Sequence, residues 1–100
     1  MKEWTYKQWQ ETMQQERVAA FYLYTPMCGT CAVASKMLAV TEQLLPDVAF
    51  GKGNINFMEE VARHYEVESV PCLLIAKNGE YVQKIYAFQS VTNLYEILKK

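Results

Sequence analysis

The sequence predicts an α/β protein with a mixed central sheet that carries helices on both faces. Buried strand-like runs alternate with helical patterns along the chain, and strands joined by helices pair in parallel. An Asn78-Gly79 turn adds an antiparallel hairpin. One hundred residues suffice for one core, and we find no repeat, linker or low-complexity segment, so residues 1–100 are expected to form a single domain.

The N-terminal half is predicted to contain four elements in the order helix, strand, helix, strand, at residues 5–16, 18–24, 32–45 and 48–55. Apolar side chains recur at helical spacing behind Thr5, a suitable N-cap residue. The first strand is a continuous apolar run, as expected of a strand that is buried on both faces. Pro46 ends the second helix, and Gly51 and Gly53 weaken the second strand.

The C-terminal half is predicted to contain a short helix, two strands and a last helix, at residues 56–65, 72–76, 80–87 and after Ser90 or Thr92. Asn56 followed by Glu59 resembles a helix-capping signal, and the Asn-Gly turn joins the two strands. Two lysines end the last helix, where cations suit the helix dipole. The order α-β-α-β-α-β-β-α gives a central sheet of about four strands.

The most informative motif is Cys28-Gly29-Thr30-Cys31, at the junction of the first strand and the second helix. Two thiols three residues apart at a helix start can meet in space, and the helix end favours the thiolate. This is the geometry of reversible dithiol–disulfide chemistry. Two inert buried cysteines are the alternative, but a paired CxxC at such a junction is uncommon.

Composition and charge exclude several classes of function. Ten basic and eleven acidic residues leave a net charge of −1 and no basic stripe, which argues against nucleic-acid binding. The longest apolar runs have strand length, and the polar N-terminus lacks the apolar stretch of a signal peptide. We therefore expect a cytoplasmic protein without a membrane span. Three cysteines, an odd number, argue against a disulfide-stapled scaffold.

In four respects the chain resembles the thioredoxin family over nearly its whole length. It has a CxxC at a strand-to-helix junction, and Val70-Pro71 follows, with Pro71 forty residues after Cys31. A Lys77-Asn78-Gly79 turn and a closing amphipathic helix come next. The resemblance implies a thioredoxin-like three-layer α/β/α fold.

The resemblance also implies a thiol–disulfide oxidoreductase that acts on protein disulfides, with a reductase or a low-molecular-weight thiol as its reductant. In the implied mechanism Cys28 is the nucleophile and Cys31 resolves the mixed disulfide. Pro71 is expected to be cis and to face the CxxC, and Val70 and Pro71 are expected to contact the substrate. No metal, flavin or nucleotide is required.

Several positions depart from the family pattern. Met27 stands where the family usually has Trp, and Thr30 stands where Pro often lies beside Gly29. Tyr22, six positions before Cys28, replaces a buried Asp that often relays a proton to the second cysteine. Lys52 matches the lysine that accompanies this Asp.

The departures predict altered chemistry. A phenol with a pKa near ~10 is a poorer base than a carboxylate, so Cys31 would depend on water or Lys52 for its deprotonation, and turnover should be slower. Thr30 adds a backbone N–H and a hydroxyl beside the thiolates, and a stabilised thiolate makes a better oxidant. We therefore expect a less reducing protein than ordinary thioredoxins. The loss of Trp at position 27 puts recognition by a general thioredoxin reductase in question.

Cys72, directly after Pro71, is expected in the strand behind the CxxC. One interpretation is a small buried hydrophobic residue. The other is a third thiol that joins the redox cycle or helps to bind a metal in a Cys3His set, with Cys28, Cys31 and His64. His64 lies on a polar helix and is expected to be exposed, which disfavours the metal site.

Two other functions remain open at this point. One is a thioredoxin-like module that binds a partner or senses redox state with little turnover, which the missing Asp, Trp and Pro favour. The other is a metal or iron–sulfur cluster held by the CxxC across a dimer. The intact Cys28–Cys31 pair and the Val70-Pro71 step favour the oxidoreductase over the binding module.

Overall fold

The computed structural model describes residues 1–99 and contains a five-stranded sheet with helices on both faces. Its elements are β1 (Lys2–Glu3), α1 (Tyr6–Gln15), β2 (Val18–Tyr24), α2 (Gly29–Leu44), β3 (Ala49–Asn54), a 3₁₀ turn (Ile55–Phe57), α3 (Glu59–His64), β4 (Cys72–Lys77), β5 (Glu80–Ile85) and α4 (Val91–Leu98). The predicted fold class is confirmed. The sheet has five strands rather than about four, because the unpredicted two-residue β1 pairs with β3.

The sheet is mixed, with the strand order β1-β3-β2-β4-β5. β1, β3 and β2 run parallel to one another, as the helical connections require. β4 pairs antiparallel with β2, and the turn at Asn78 and Gly79 returns the chain as the antiparallel strand β5. Both turn residues have positive φ, 56° for Asn78 and 86° for Gly79, which explains the Asn-Gly sequence at this turn.

Side-chain caps explain where three helices begin. Thr5 caps α1 in a capping box with Gln8, Cys28 caps α2, and Ser90 caps α4 by accepting from the N–H of Asn93. Of the two caps considered for the last helix, Ser90 is therefore the one used. Of the two lysines predicted to end that helix, Lys99 is its C-cap residue and Lys100 lies outside the described residues.

The predicted cap of the third helix is wrong. Asn56 belongs to the 3₁₀ turn, where its N–H donates to the side chain of Asn54. α3 starts after Met58, which makes no side-chain capping bond. The turn takes up the residues that would have formed the first helical turn.

The core lies in two layers because alternate strand residues point to opposite faces of the sheet. Ala20 and Tyr22 of β2 pack with α2 and α4, whereas Phe21 and Leu23 pack with α1 and α3. Ala34 and Leu38 are the buried contacts of α2 on the first face. None of the helices within residues 1–99 is long and apolar enough to cross a membrane.

Candidate active site: a dithiol at the start of a helix

The CxxC motif lies where β2 leaves the sheet and α2 begins. The turn between the two elements is closed by a 3.1 Å hydrogen bond from the N–H of Cys28 to the carbonyl of Thr25. Cys28 is the N-cap residue of α2, and Gly29, Thr30 and Cys31 form its first turn. The thiol of Cys28 thus lies at the positive end of a 16-residue helix, where a thiolate is stabilised.

The sulfur of Cys28 makes hydrogen bonds to two residues in the first turn of α2. It accepts from the backbone N–H of Cys31 at 3.2 Å and lies 3.3 Å from the hydroxyl oxygen of Thr30. Hydrogen bonding from the Cys31 side chain, followed by that from Thr30, holds the pKa of Cys28 below its ordinary value. The half-exposed Cys28 is therefore the thiol that ionises first and that a substrate can reach.

Cys31 has the opposite environment. Its side chain is 4% exposed, and it packs beneath the first turn of α2. Burial, followed by the hydrogen bond that it gives to Cys28, raises the pKa of Cys31 above its ordinary value. The pair thus consists of one accessible thiol that ionises readily and one hidden thiol that holds its proton.

The structure brings the loop before β4 to the CxxC. The peptide bond between Val70 and Pro71 is cis, as expected from the resemblance. The thiol of Cys28 lies 3.7 Å from the carbonyl oxygen of Val70, to which it donates a hydrogen bond. Pro71 also contributes to a shallow, mainly apolar groove beside the motif, with Thr30, Val33, Met37 and Phe88 among its lining residues.

The remaining residues of the predicted active-site loop are open to solvent. Met27 is 90% exposed directly before the nucleophilic position. Gly29 is exposed, and a Cβ added to it would meet no heavy atom within 4 Å. Met27 and Gly29 thus form an exposed surface beside the motif.

Tyr22 lies beneath the motif and is fully buried. Its hydroxyl donates to the carbonyl oxygen of Cys31 at 2.9 Å and accepts from the hydroxyl of Ser35 at 3.1 Å. Burial raises the pKa of Tyr22 well above its ordinary value, so the phenol is neutral. Ser35 was not among the predicted site residues, although its position four residues after Cys31 places it on the same face of the helix.

Lys52 of β3 lies opposite Tyr22 of β2 in the sheet, but its side chain contacts Tyr24. Its ammonium lies over the ring of Tyr24, 5.7 Å from the ring centroid. Within residues 1–99, Lys52 makes no side-chain hydrogen bond to either cysteine. No direct contact between Lys52 and Cys31 within these residues therefore supports the predicted role of Lys52 in the deprotonation of Cys31.

Cys72 lies on the other face of the sheet. It is fully buried among the side chains that pack against α1 and α3, whereas α2 covers the first face. Burial raises the pKa of Cys72 to about 12. His64 is exposed and packs against Tyr65. Within residues 1–99, no three His, Cys, Asp or Glu side chains are grouped so that they could hold a metal ion together.

Comparison with known proteins identifies one family. The family model described as Thioredoxin matches residues 1–100. The thioredoxin-like protein YusE of Bacillus subtilis is 51% identical over 86 residues, which are 86% of this chain and 81% of that protein. A thioredoxin of Staphylococcus saprophyticus is 39% identical over 79 residues, 73% of this chain and 71% of the relative.

Solved structures give the same fold. The crystal structure of oxidised mitochondrial thioredoxin 3 from Saccharomyces cerevisiae superposes with a TM-score of 0.88 at 23% identity, covering 98% of this chain and 92% of that one. The crystal structure of Trxlp from Edwardsiella tarda superposes with a TM-score of 0.86 at 15% identity, covering 99% of this chain and 98% of that one. At such low identities the agreement concerns the backbone arrangement alone.

Proposed function

This chain belongs to the thioredoxin family and is a thiol–disulfide oxidoreductase, and we propose that Cys28 and Cys31 carry out its exchange reaction. The observation that carries the proposal is the contrast between the two thiols. Cys28 is half-exposed and its pKa is lowered, whereas Cys31 is buried and its pKa is raised. This difference assigns the first attack to Cys28 and the second to Cys31.

In the first step the thiolate of Cys28 attacks one sulfur of a substrate disulfide. A bond forms between Cys28 and that sulfur, the substrate disulfide breaks, and the second substrate sulfur leaves as a thiolate that takes up a proton. Val70 and Pro71 lie beside the attacking sulfur, and we assign them to contact the substrate chain. The exposed residues Met27, Gly29 and Thr30 form the rim that a substrate meets first.

In the second step Cys31 loses its proton and attacks the sulfur of Cys28. The Cys28–Cys31 disulfide forms, and the remaining substrate sulfur leaves as a thiolate. Over both steps the substrate gains two electrons and two protons, and the protein dithiol loses them. Because every bond exchange joins sulfur to sulfur, the reaction needs no bound cofactor, and it runs in reverse when the substrate is a dithiol.

We assign protein disulfides as the substrates. An external thiol, either a dithiol reductase or a small-molecule thiol, would then return the oxidised pair to the dithiol, so that electrons pass through this protein from reductant to substrate. A cytoplasmic location fits this role, because reducing systems keep thiols reduced there. The exposed Met27 leaves a rim unlike the Trp that the family usually carries, which favours a reductase with its own matching surface.

Insulin reduction by dithiothreitol tests the assignment of the two cysteines. The wild type is expected to accelerate the precipitation of insulin chains, and Cys28→Ser is expected to abolish the acceleration. Cys31→Ser should accumulate a mixed disulfide through Cys28 that mass spectrometry detects. Cys72→Ala is the matched control and should keep the wild-type rate. Full activity in Cys28→Ser would contradict the assignment.

A further inference from the structure

The hydroxyl of Tyr22 makes two hydrogen bonds that involve the same turn of α2. It donates to the carbonyl oxygen of Cys31 at 2.9 Å and accepts from Ser35 at 3.1 Å. Tyr22 is fully buried, and within residues 1–99 no buried side-chain nitrogen or oxygen lacks a hydrogen-bond partner. The Tyr22 hydroxyl thus links β2, to which Tyr22 belongs, to two residues of α2.

The direction of these bonds shows what Tyr22 can do. Ser35 donates to the phenol oxygen, so the phenol proton is available to the Cys31 carbonyl, which accepts it at 2.9 Å. Hydrogen bonding from the phenol also acts to lower the pKa of the Cys31 thiol, but the effect of burial on that thiol is larger and in the opposite direction. Burial keeps the phenol protonated. A proton donor aimed at a backbone carbonyl is not a base for the thiol. Tyr22 therefore cannot serve Cys31 as a carboxylate would.

The position of Cys31, by contrast, matters to the nucleophile. The N–H of Cys31 donates to the sulfur of Cys28 at 3.2 Å, and the carbonyl of Cys31 accepts from Tyr22. The backbone of Cys31 is thus bonded to Tyr22 of β2 through its carbonyl and to the Cys28 sulfur through its N–H. A shift of the first helical turn away from β2 would change the distance between this N–H and the Cys28 sulfur.

We propose that Tyr22 is a positioning residue, whose hydroxyl ties Cys31 to β2 and so keeps the N–H of Cys31 on the sulfur of Cys28. Ser35 supports this contact, because its hydroxyl donates to the phenol oxygen and the phenol proton remains available for the Cys31 carbonyl. The proposal rests on the proposed function, since it concerns the thiolate of the same Cys28. Tyr22 thus acts by holding the first turn of α2 in place, and not by relaying a proton as the Asp often found at this position in the family does.

The groups packed around this contact leave few other charges to act on it. At the start of α2 the titratable groups beside the contact are the thiols of Cys28, the N-cap residue, and Cys31. Of the other titratable residues of α2, Lys36 is exposed and Glu42 lies in the last turn of the helix. On β2, Tyr24 stacks on Tyr22 with ring centroids 5.7 Å apart, and its hydroxyl donates to Glu3 of β1. Lys52 of β3 lies over Tyr24. The chain before α4 contributes Phe88, an uncharged ring that contacts Tyr22.

Tyr24 provides a matched control for Tyr22. The two rings lie on the same face of the same strand and stack on one another, but the Tyr24 hydroxyl bonds to Glu3 and makes no bond to α2 within residues 1–99. Replacement of either tyrosine by phenylalanine removes one hydroxyl and keeps the ring. A difference between the two variants therefore reports the contact with Cys31 and not the general packing of β2.

The test measures the rate of Cys28 alkylation by iodoacetamide as a function of pH, with the modified residue identified by mass spectrometry. Tyr22→Phe is expected to slow alkylation at pH values below the wild-type midpoint by about threefold to tenfold, the effect of one lost hydrogen bond, and to move the midpoint upward. Ser35→Ala should move it in the same direction by less. Tyr24→Phe should match the wild type.

An unchanged profile in Tyr22→Phe would overturn the proposal, and so would an equal shift in Tyr24→Phe. Circular dichroism checks that each variant is folded, and Ser35→Ala tests the same contact if Tyr22→Phe does not fold. Because alkylation reports Cys28 without any turnover, the result is independent of the insulin assay. A failure of the proposed function would appear in that assay alone.

Discussion

The sulfur of Cys28 lies 3.7 Å from the backbone carbonyl oxygen of Val70, although 42 positions separate the two residues in the chain. This contact joins the start of α2 to the loop that enters β4. A polypeptide bound along Val70 would therefore present its disulfide directly to Cys28. The residues that we assign to substrate contact and to the first attack therefore lie side by side, where β2 ends and β4 begins.

The hydrogen bonds to Cys28 predict a ranking of two variants. Cys31→Ala and Thr30→Val should both raise the pKa of Cys28, because each removes a donor that stabilises the thiolate. Cys31→Ala should raise it more, since the Cys31 side chain is the largest cause of the lowered value and Thr30 is the next. Ultraviolet absorbance of the thiolate during a pH titration measures both shifts.

The direction of these pKa shifts follows from the stabilisation of the Cys28 thiolate by hydrogen bonds in the wild type. Ionised Cys28 is favoured in the folded protein, so the wild type should react at a lower pH than an ordinary cysteine, and both variants should need a higher pH. Ala32→Gly, on the exposed side of the same turn, serves as a control that leaves the thiol contacts in place. A larger shift for Thr30→Val than for Cys31→Ala would contradict the ranking.

Cys72 is predicted to be structural. Its side chain is fully buried on the face opposite α2, so Cys72→Ala should lower the free energy of unfolding by about 1–2 kcal/mol through lost packing, while insulin reduction stays at the wild-type rate. Urea unfolding monitored by circular dichroism measures the loss. A strong drop in turnover without a change of stability would instead give Cys72 a part in the redox cycle.

The same residue predicts a dependence of stability on pH. Burial raises the pKa of Cys72 from 9.0 to about 12, so the folded protein keeps a proton that the unfolded chain loses. The stability that this protonated thiol contributes is fully present below pH 9.0 and declines as the pH rises toward 12. Unfolding titrations on both sides of pH 9.0 should show wild type and Cys72→Ala converging as the pH rises. A constant difference would contradict the assignment.

Gly51 is predicted to be required for the packing of β1 and the residue that follows it. A Cβ at this position would overlap the ring of Trp4, which packs against Trp9 and Phe21. Gly51→Ala should therefore lower the free energy of unfolding by about 1–3 kcal/mol and change the tryptophan fluorescence. Gly29→Ala, where the added Cβ meets nothing within 4 Å, should be neutral or slightly stabilising.

Lys84 is predicted to hold the chain between α3 and the Val70–Pro71 step. Its ammonium donates to the carbonyls of Tyr65 at 2.8 Å and Glu66 at 2.9 Å, at the C-terminal end of α3. Lys84→Met keeps most of the stem and should lower the free energy of unfolding by about 1–3 kcal/mol. Hydrogen exchange should speed up in residues 65–70. The exposed Lys36→Met should change stability by less than about 0.5 kcal/mol.

Local patterns account for most of the fold. The apolar run that became β2 and the Asn78-Gly79 turn were recognisable because their signals lie within a few neighbouring residues. β1 was missed because Lys2 and Glu3 are both exposed, and their strand exists only through pairing with β3. A two-residue edge strand leaves no periodic pattern to detect.

Site residues were predictable from the sequence where their chemical type identifies them. They were not predictable where their role depends on a three-dimensional contact. The CxxC pair and its strand-to-helix position follow from the sequence. Ser35 was not identified, because a serine on a helix is ordinary until its hydroxyl is seen 3.1 Å from Tyr22. Lys52 was identified because it matches a family position, but this match did not predict that its ammonium would lie over the ring of Tyr24.

The reduction potential of the Cys28–Cys31 couple tests the central claim most directly. The protein is equilibrated in dithiothreitol and glutathione redox buffers, and the disulfide is mapped by mass spectrometry. We predict one two-electron transition that joins Cys28 to Cys31 and leaves Cys72 reduced, at a potential above the value of about −270 mV typical of thioredoxin. A disulfide that includes Cys72, or no transition at all, would contradict the dithiol assignment, and a potential at or below that value would contradict the effect assigned to Thr30.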